Sequence, residues 1–355
     1  MTSSSAHTLP YADGVRDDVE ATLGKAYTIK SSRLVDLNVF RVRISSNLAD
    51  FEGYSYFTKF VEPEPTGLLC EYEVVCVDLD EDPIDPTVLE PLTDTGFRAD
   101  RFRSGFYLTH HFGPPAHLVT RGNRIYVFGR RLDRTIWPYF AKHLLTIFAI
   151  DHDMVHLKAA AFVQPDAGAT LLFGRGSGGK TVFITQACQA GAEFLSNTHV
   201  LTRGNTVYGV PSAMRVRRDR CFEEVIASGR LERHLDASEF RVDPGLIFGL
   251  EPHAQATIRN LCIIDYNPDQ PSRCDEVGEE SFAAFLDLFA FAIGTYGLKD
   301  DVLAHLGNNF DRYGTAYAGM KRRMHELIAS TRRFYINADM LDPAVRSRTL
   351  AKLAE

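Results

Sequence analysis

The octapeptide Gly174-Arg-Gly-Ser-Gly-Gly179-Lys180-Thr181 constrains this chain more than any other stretch. So many glycines in a row cannot build a helix or a packed strand. They do let successive backbone N–H groups turn inward and form a nest for an anion. The flanks make that reading specific. Leu171, Leu172 and Phe173 predict a strand just before the octapeptide, and Val182 to Ala190 predict a helix just after it. A helix starting there points its positive end at whatever the loop holds. In such an arrangement Lys180 reaches the β- and γ-phosphates of a nucleotide, and the hydroxyl of Thr181 contacts Mg²⁺. Gly174, Arg175, Gly176, Ser177, Gly178, Gly179, Lys180 and Thr181 are therefore read as nucleotide-binding, with Thr181 as the metal contact.

The rest of the composition narrows the class. A chain of 355 residues, 45% hydrophobic and 24% charged, has ample material for one large or two moderate domains. A net charge of -7 argues against a nucleic-acid partner, which would need a basic surface. No apolar run reaches the 18 or more residues of a membrane span. The start, MTSSSAHTLPYADG, lacks the apolar centre of a signal peptide and reads as a flexible tail. The 6 cysteines are scattered without a CxxC pair, as expected of thiols in a reducing cytoplasm.

The expected fold class is α/β, in the mixed α+β sense. Residues 1–150 read as a β-rich amino-terminal domain, mainly antiparallel up to about Arg130, that shapes an acceptor site or a homo-oligomer contact. Residues 151–355 read as a phosphate-loop domain with carboxyl-terminal helices. The stretch TIWPYFAKHLLTIFAIDHD predicts a helix with Phe140, Leu144, Leu145 and Phe148 on one face and Pro138 near its start. MVHLKAAAFV, ATLLFG, EFLS, HVLTR, TVYGV and ATIRNLCIIDYN predict strands, and the chain reads as helical from Glu279 onward.

Taken in order, VHLKAAAF, LLFGRGSGGKT and AEFLSNTHVLTRGNTVYGVP resemble the HPr kinase/phosphorylase family and its small-molecule-kinase relatives. There an lHaaa strand, a GxSGxGKS loop, an LSDDxVxL strand and a V.P.P turn follow one another. The resemblance spans about Met154 to Arg217 and implies the phosphoenolpyruvate-carboxykinase-like nucleotide fold. No NKxD motif of the Ras-like fold is present. It implies ATP and Mg²⁺, and a small-molecule acceptor whose hydroxyl receives the γ-phosphate. Analogy with the family's biosynthetic relatives suggests a nucleoside or sugar intermediate. It places His156 at the histidine before the loop, and Asn197 and Thr198 on the two acids of SDD.

That last pair departs from the family. Neither Asn nor Thr is a base near neutral pH, and neither carries charge for Mg²⁺. Three outcomes stay open: transfer without a strong base, a substitute residue, or a nucleotide-binding regulatory protein that does no chemistry. A protein-serine kinase is a further alternative. As substitutes, His156 offers a neutral imidazole, His199 directly follows the pair, and Asp265 ends an apolar strand. Asp151 and Asp153 flank the end of the predicted helix. Arg215 and Arg217 alternate along an extended segment, so both are expected to clamp an anionic substrate. His110 and His111 match no metal-ligand pattern.

Overall fold

The computed structural model describes residues 18–23, 25–62, 70–92, 116–132, 137–176, 178–228, 231–233, 239–249 and 251–355. His110 and His111, and Ser177 of the glycine loop, lie outside the described residues. The fold is mixed α/β.

A six-stranded sheet occupies the amino-terminal half, in the order Phe60–Val61, Ser31–Asp36, Arg41–Ser46, Tyr72–Asp78, Arg124–Gly129, His117–Arg121. Along Arg41–Ser46 burial alternates, with Val42, Ile44 and Ser46 turned inward, so one face of this strand meets the core. The sheet is not as antiparallel as the sequence suggests. Tyr72–Asp78 runs parallel to both of its neighbours. Each parallel neighbour is reached through a connection long enough for a crossover, which a tight turn could not supply.

The helix Trp137–Asp151 follows. Phe140, Leu144, Leu145 and Phe148 are buried as expected, and so are Ala141, His143, Thr146, Ile147 and Ala149. A helix buried on nearly every side is an interior element, not an amphipathic cover. Phe148 stacks on Phe40 with ring centroids 4.2 Å apart. One buried cluster contains Val42, Ile44, Phe148, Leu157 and Leu171 together, so the core continues across residue 150.

A second sheet has the order Glu193–Ser196, Ala160–Gln164, Gly168–Phe173, Gln255–Ile264, Thr206–Gly209, His199–Arg203, Val155–Lys158. The run MVHLKAAAFV therefore breaks into two strands at Ala159, which belong to opposite margins of this sheet. Gln255–Ile264 is parallel to Gly168–Phe173 on one side and to Arg332–Asn337 on the other. Arg332–Asn337 corrects the all-helical reading after Glu279. Its Phe334 and Ile336 are fully buried, so the strand is stabilised by a partner remote in sequence. Arg273–Glu276 adds an antiparallel edge to it.

Alternate residues of these strands feed two cores. Leu171, Phe173, Leu261 and Ile263 pack with Phe282, Leu286 and Met324 from the helices Glu279–Phe289 and Phe310–Ala329. Leu172, Cys262, Ile264 and Ile336 pack with Phe183, Ile184 and Leu353 from the helices Lys180–Gln189 and Pro343–Ala354. Helices thus cover both faces, and the parallel strands end at one edge beside Gly174, Asp265 and Ala338. Ligands of open α/β sheets bind at such a carboxyl edge. No helix among the described residues is long and apolar enough to cross a membrane. All 6 cysteines are free thiols.

Candidate functional site

The glycine loop connects the strand Gly168–Phe173 to the helix Lys180–Gln189, as the sequence predicts. It is wedged against the end of the neighbouring strand. A Cβ on Gly174, where φ is 151°, would lie 2.4 Å from the Ile264 carbonyl oxygen. Gly179 adopts φ 90° at the helix start, and a Cβ there would meet Tyr266 at 3.2 Å. The close approach, more than the turn itself, requires glycine at Gly174. The Lys180 ammonium donates to the carbonyl oxygens of Gly174 and Arg175, each at 2.8 Å. Burial, and then the charge of Lys158, push its pKa down to about 8. Thr181 is half-buried in the first helical turn.

Asp265 leaves the strand Gln255–Ile264 at the same edge. It pairs with Arg175 at 3.2 Å and accepts from the Tyr335 hydroxyl at 3.4 Å. Among the described residues no three His, Cys, Asp or Glu side chains gather as a metal cluster. Asp151 pairs with His305 at 3.1 Å, and Asp153 pairs with Arg323. Both of these acids are engaged with the carboxyl-terminal helical region.

Asn197 and Thr198 form the step between the strands Glu193–Ser196 and His199–Arg203. The Thr198 carbonyl accepts from the Ala159 N–H at 3.1 Å, which ties this step to the break in MVHLKAAAFV. Asn197 is buried. Its Nδ2 donates to Thr198 Oγ1 at 3.4 Å, while its Oδ1 has no partner among the described residues.

The histidines form a chain whose tautomers follow from its end. Thr146 Oγ1 donates to the Lys142 carbonyl at 2.8 Å, so it accepts from His156 Nδ1, also at 2.8 Å. His156 Nε2 is then an acceptor for His199 Nδ1–H at 3.1 Å. Burial, and then Lys142, push His156 down to about 3. Both ring nitrogens of His156 are engaged and the ring is buried, which leaves no free lone pair for the base role expected of it. His199 is also buried and held well below the usual histidine range by burial and then by His156. Its Nε2 is left as a lone-pair acceptor without a partner among the described residues.

Beside this chain lie two lysines that sequence reasoning missed. Lys142 Nζ stands 4.7 Å from the centre of the Tyr296 ring, and Lys158 Nζ stands 5.9 Å from it. The Tyr296 hydroxyl is 3.4 Å from His199 Nδ1. Burial, then Arg215, then Lys158 push Lys142 down to about 7. Lys158 is lowered by burial and then by Arg215. Arg215 and Arg217 share the exposed face of the strand Met214–Arg217, as alternation predicts. They are not equivalent. Arg217 pairs with Glu239 at 2.5 Å, whereas Arg215 lies 3.6 Å from Glu239, and its charge is felt by both lysines.

A signal for Lys158 does exist in the sequence. The lHaaa pattern fits Leu157-Lys158-Ala159-Ala160-Ala161 residue for residue, with lysine at the histidine. Two residues earlier, His156 fits it less well. Lys142 and Tyr296 carry no comparable signal. A cavity of about 790 Å³, lined in part by Gly168, Arg259 and Arg333, lies at the opposite edge of the sheet. In comparisons with protein-family models and with curated proteins, no family model and no curated protein matches the chain.

Proposed function

We propose that the chain is an ATP-dependent phosphotransferase of the HPr kinase-like type, acting on a hydroxyl of a small molecule. One observation carries this reading: the glycine loop lies where a parallel strand ends and a helix begins, with Lys180 at its mouth. The residues present fit a polyphosphate. Glycine at Gly174 and Gly179 permits the close packing and left-handed backbone of the loop, Gly176 faces open space, the helix end is positive, and among the described residues the Lys180 ammonium is held by carbonyl oxygens that a phosphate can replace. Mg²⁺ would be held by Thr181 and Asp265, and when bound it neutralises charge on the phosphates.

The acceptor oxygen forms a bond to the γ-phosphorus, and the bond from that phosphorus to the β–γ bridging oxygen breaks. ADP leaves, and the hydroxyl proton passes to an oxygen of the transferred phosphoryl group. No strong base is needed where the transition state is loose and positioning dominates. Asn197 positions the acceptor through its amide, and Lys180 follows the charge on the γ-phosphate. A second reading, a nucleotide-binding regulator without turnover, is favoured by the neutral Asn197–Thr198 pair and is separated from the first by turnover itself.

The test is calorimetric titration of Mg·ATP at pH 8 and pH 6 in buffers of different ionisation enthalpy. Lys180, with its pKa near 8, is partly uncharged at pH 8 in the free protein. A bound phosphate raises that pKa, so binding at pH 8 takes up protons, roughly half of one from Lys180. At pH 6 the ammonium is already charged and this uptake disappears. Absence of binding overturns the nucleotide site. Binding at pH 8 that is as tight in Lys180→Ala as in wild type removes Lys180 from it.

A further inference from the structure

The geometry points to an acceptor that carries an anionic group of its own, a phosphate monoester or a carboxylate, seated by Lys158, Lys142 and Arg215 beside Tyr296. The inference rests on the phosphotransferase reading for where the hydroxyl lies. Its own footing is the way the cations are assembled. They come from three segments remote in sequence: the helix Trp137–Asp151, the end of the strand Val155–Lys158, and the strand Met214–Arg217. Only the fold brings Lys142 and Lys158 to one ring, and Arg215 is near enough for its charge to act on both. Lys142 and Lys158 flank the same aromatic ring. Among the described residues Lys158 has no carboxylate in ion-pair range, while Arg215 is ion-paired with Glu239 at 3.6 Å and keeps its exposed side open. The charges of Lys158 and Arg215 repel one another, and an anion between them lowers that cost.

The placement is next to the proposed transfer point. Lys158 is followed by Ala159, whose N–H binds the Thr198 carbonyl, and Lys158 lies opposite His199 in the strand pairing. Its charge also reaches Lys180. Lys158 thus stands between the loop lysine and the Tyr296 ring. The neutral pair Asn197–Thr198 gains a reason here. Two carboxylates at that step would repel an anionic acceptor, and Asn and Thr do not. The exchange of acids for neutral residues and the lysine at position 158 work in the same direction.

The experiment titrates inorganic phosphate, as the simplest oxyanion, into protein saturated with a non-hydrolysable Mg·ATP analogue, so that the loop is already filled. The expected result is phosphate binding to the loaded protein, weakened at least tenfold in Lys158→Met and in Arg215→Met and retained in Lys158→Arg. Arg215 is exposed, so its variant reports even if Lys158→Met folds poorly. A loaded wild-type protein that takes up no phosphate overturns the proposal, and so does Lys158→Met binding phosphate as tightly as wild type. If the analogue itself fails to bind, the phosphotransferase reading fails separately. Phosphate titrated into Lys180→Ala then reads the cluster alone. Binding lost on adding Lys158→Met supports the subsite, and binding unchanged or absent overturns it.

Discussion

Lys180→Ala is expected to lower phosphoryl transfer by roughly 10²–10³-fold, the usual cost of removing one preorganised group that stabilises transition-state charge. The fold should survive the change. The ammonium contributes two hydrogen bonds to loop carbonyls at the carboxyl edge, and no apolar packing of either core depends on it. Burial and the nearby charge of Lys158 already push its pKa down to about 8, so removing the charge relieves a repulsion. Single-turnover transfer, measured beside a denaturant unfolding curve, separates the two effects. Transfer within a few-fold of wild type would exclude the glycine loop as the site of the chemistry. Unfolding of the variant would show that the loop lysine is structural.

Gly174→Ala is expected to destabilise the protein by roughly 2–6 kcal/mol, the sum of about 1–3 for an unfavourable backbone conformation and about 1–3 for overpacking. The added methyl group meets a backbone carbonyl, that of Ile264, 2.4 Å away. A backbone atom of a central strand cannot rotate aside as a side chain can. Whatever relaxation occurs pulls the loop off the strand and opens the nest, so nucleotide binding falls with stability. Gly176→Ala is the control within the same loop. A Cβ there has nothing within 4 Å, and its effect should stay within about 0.5 kcal/mol. Equal unfolding midpoints for the two variants would contradict the wedged geometry.

What could be read from the sequence follows the range of the interactions. The strand, loop and helix around Lys180 are local, and each residue's preference agrees with its neighbours. The helix over Phe140 to Phe148 was legible from its period, but its burial on all sides was not, because the sheet it faces lies elsewhere in the chain. The same limit explains His156. Its place on a strand before the loop was readable. The buried helix that turns its Nδ1 toward Thr146 was not. Arg332–Asn337 lies between two helices and is a strand only because Gln255–Ile264 offers it a parallel partner. Lys142, Lys158 and Tyr296 span more than half of the second sheet's sequence, and no periodicity links them. Only Lys158 left a trace, in the lHaaa pattern, where a lysine in the histidine's place is easily passed over in favour of the real histidine two residues before it.

The base-free account and the anion-seat account share one requirement: the γ-phosphate must leave ATP and reappear on a hydroxyl. ³¹P NMR of the wild-type protein with Mg·ATP measures this directly, using matched acceptors such as glycerol with glycerol 3-phosphate and ribose with ribose 5-phosphate. The account predicts that the γ-resonance is replaced by a new phosphomonoester signal with the anionic member of a pair and not with the neutral one, together with one equivalent of ADP. A γ-resonance that persists unchanged beside bound ATP, or that is converted to inorganic phosphate alone, would contradict it.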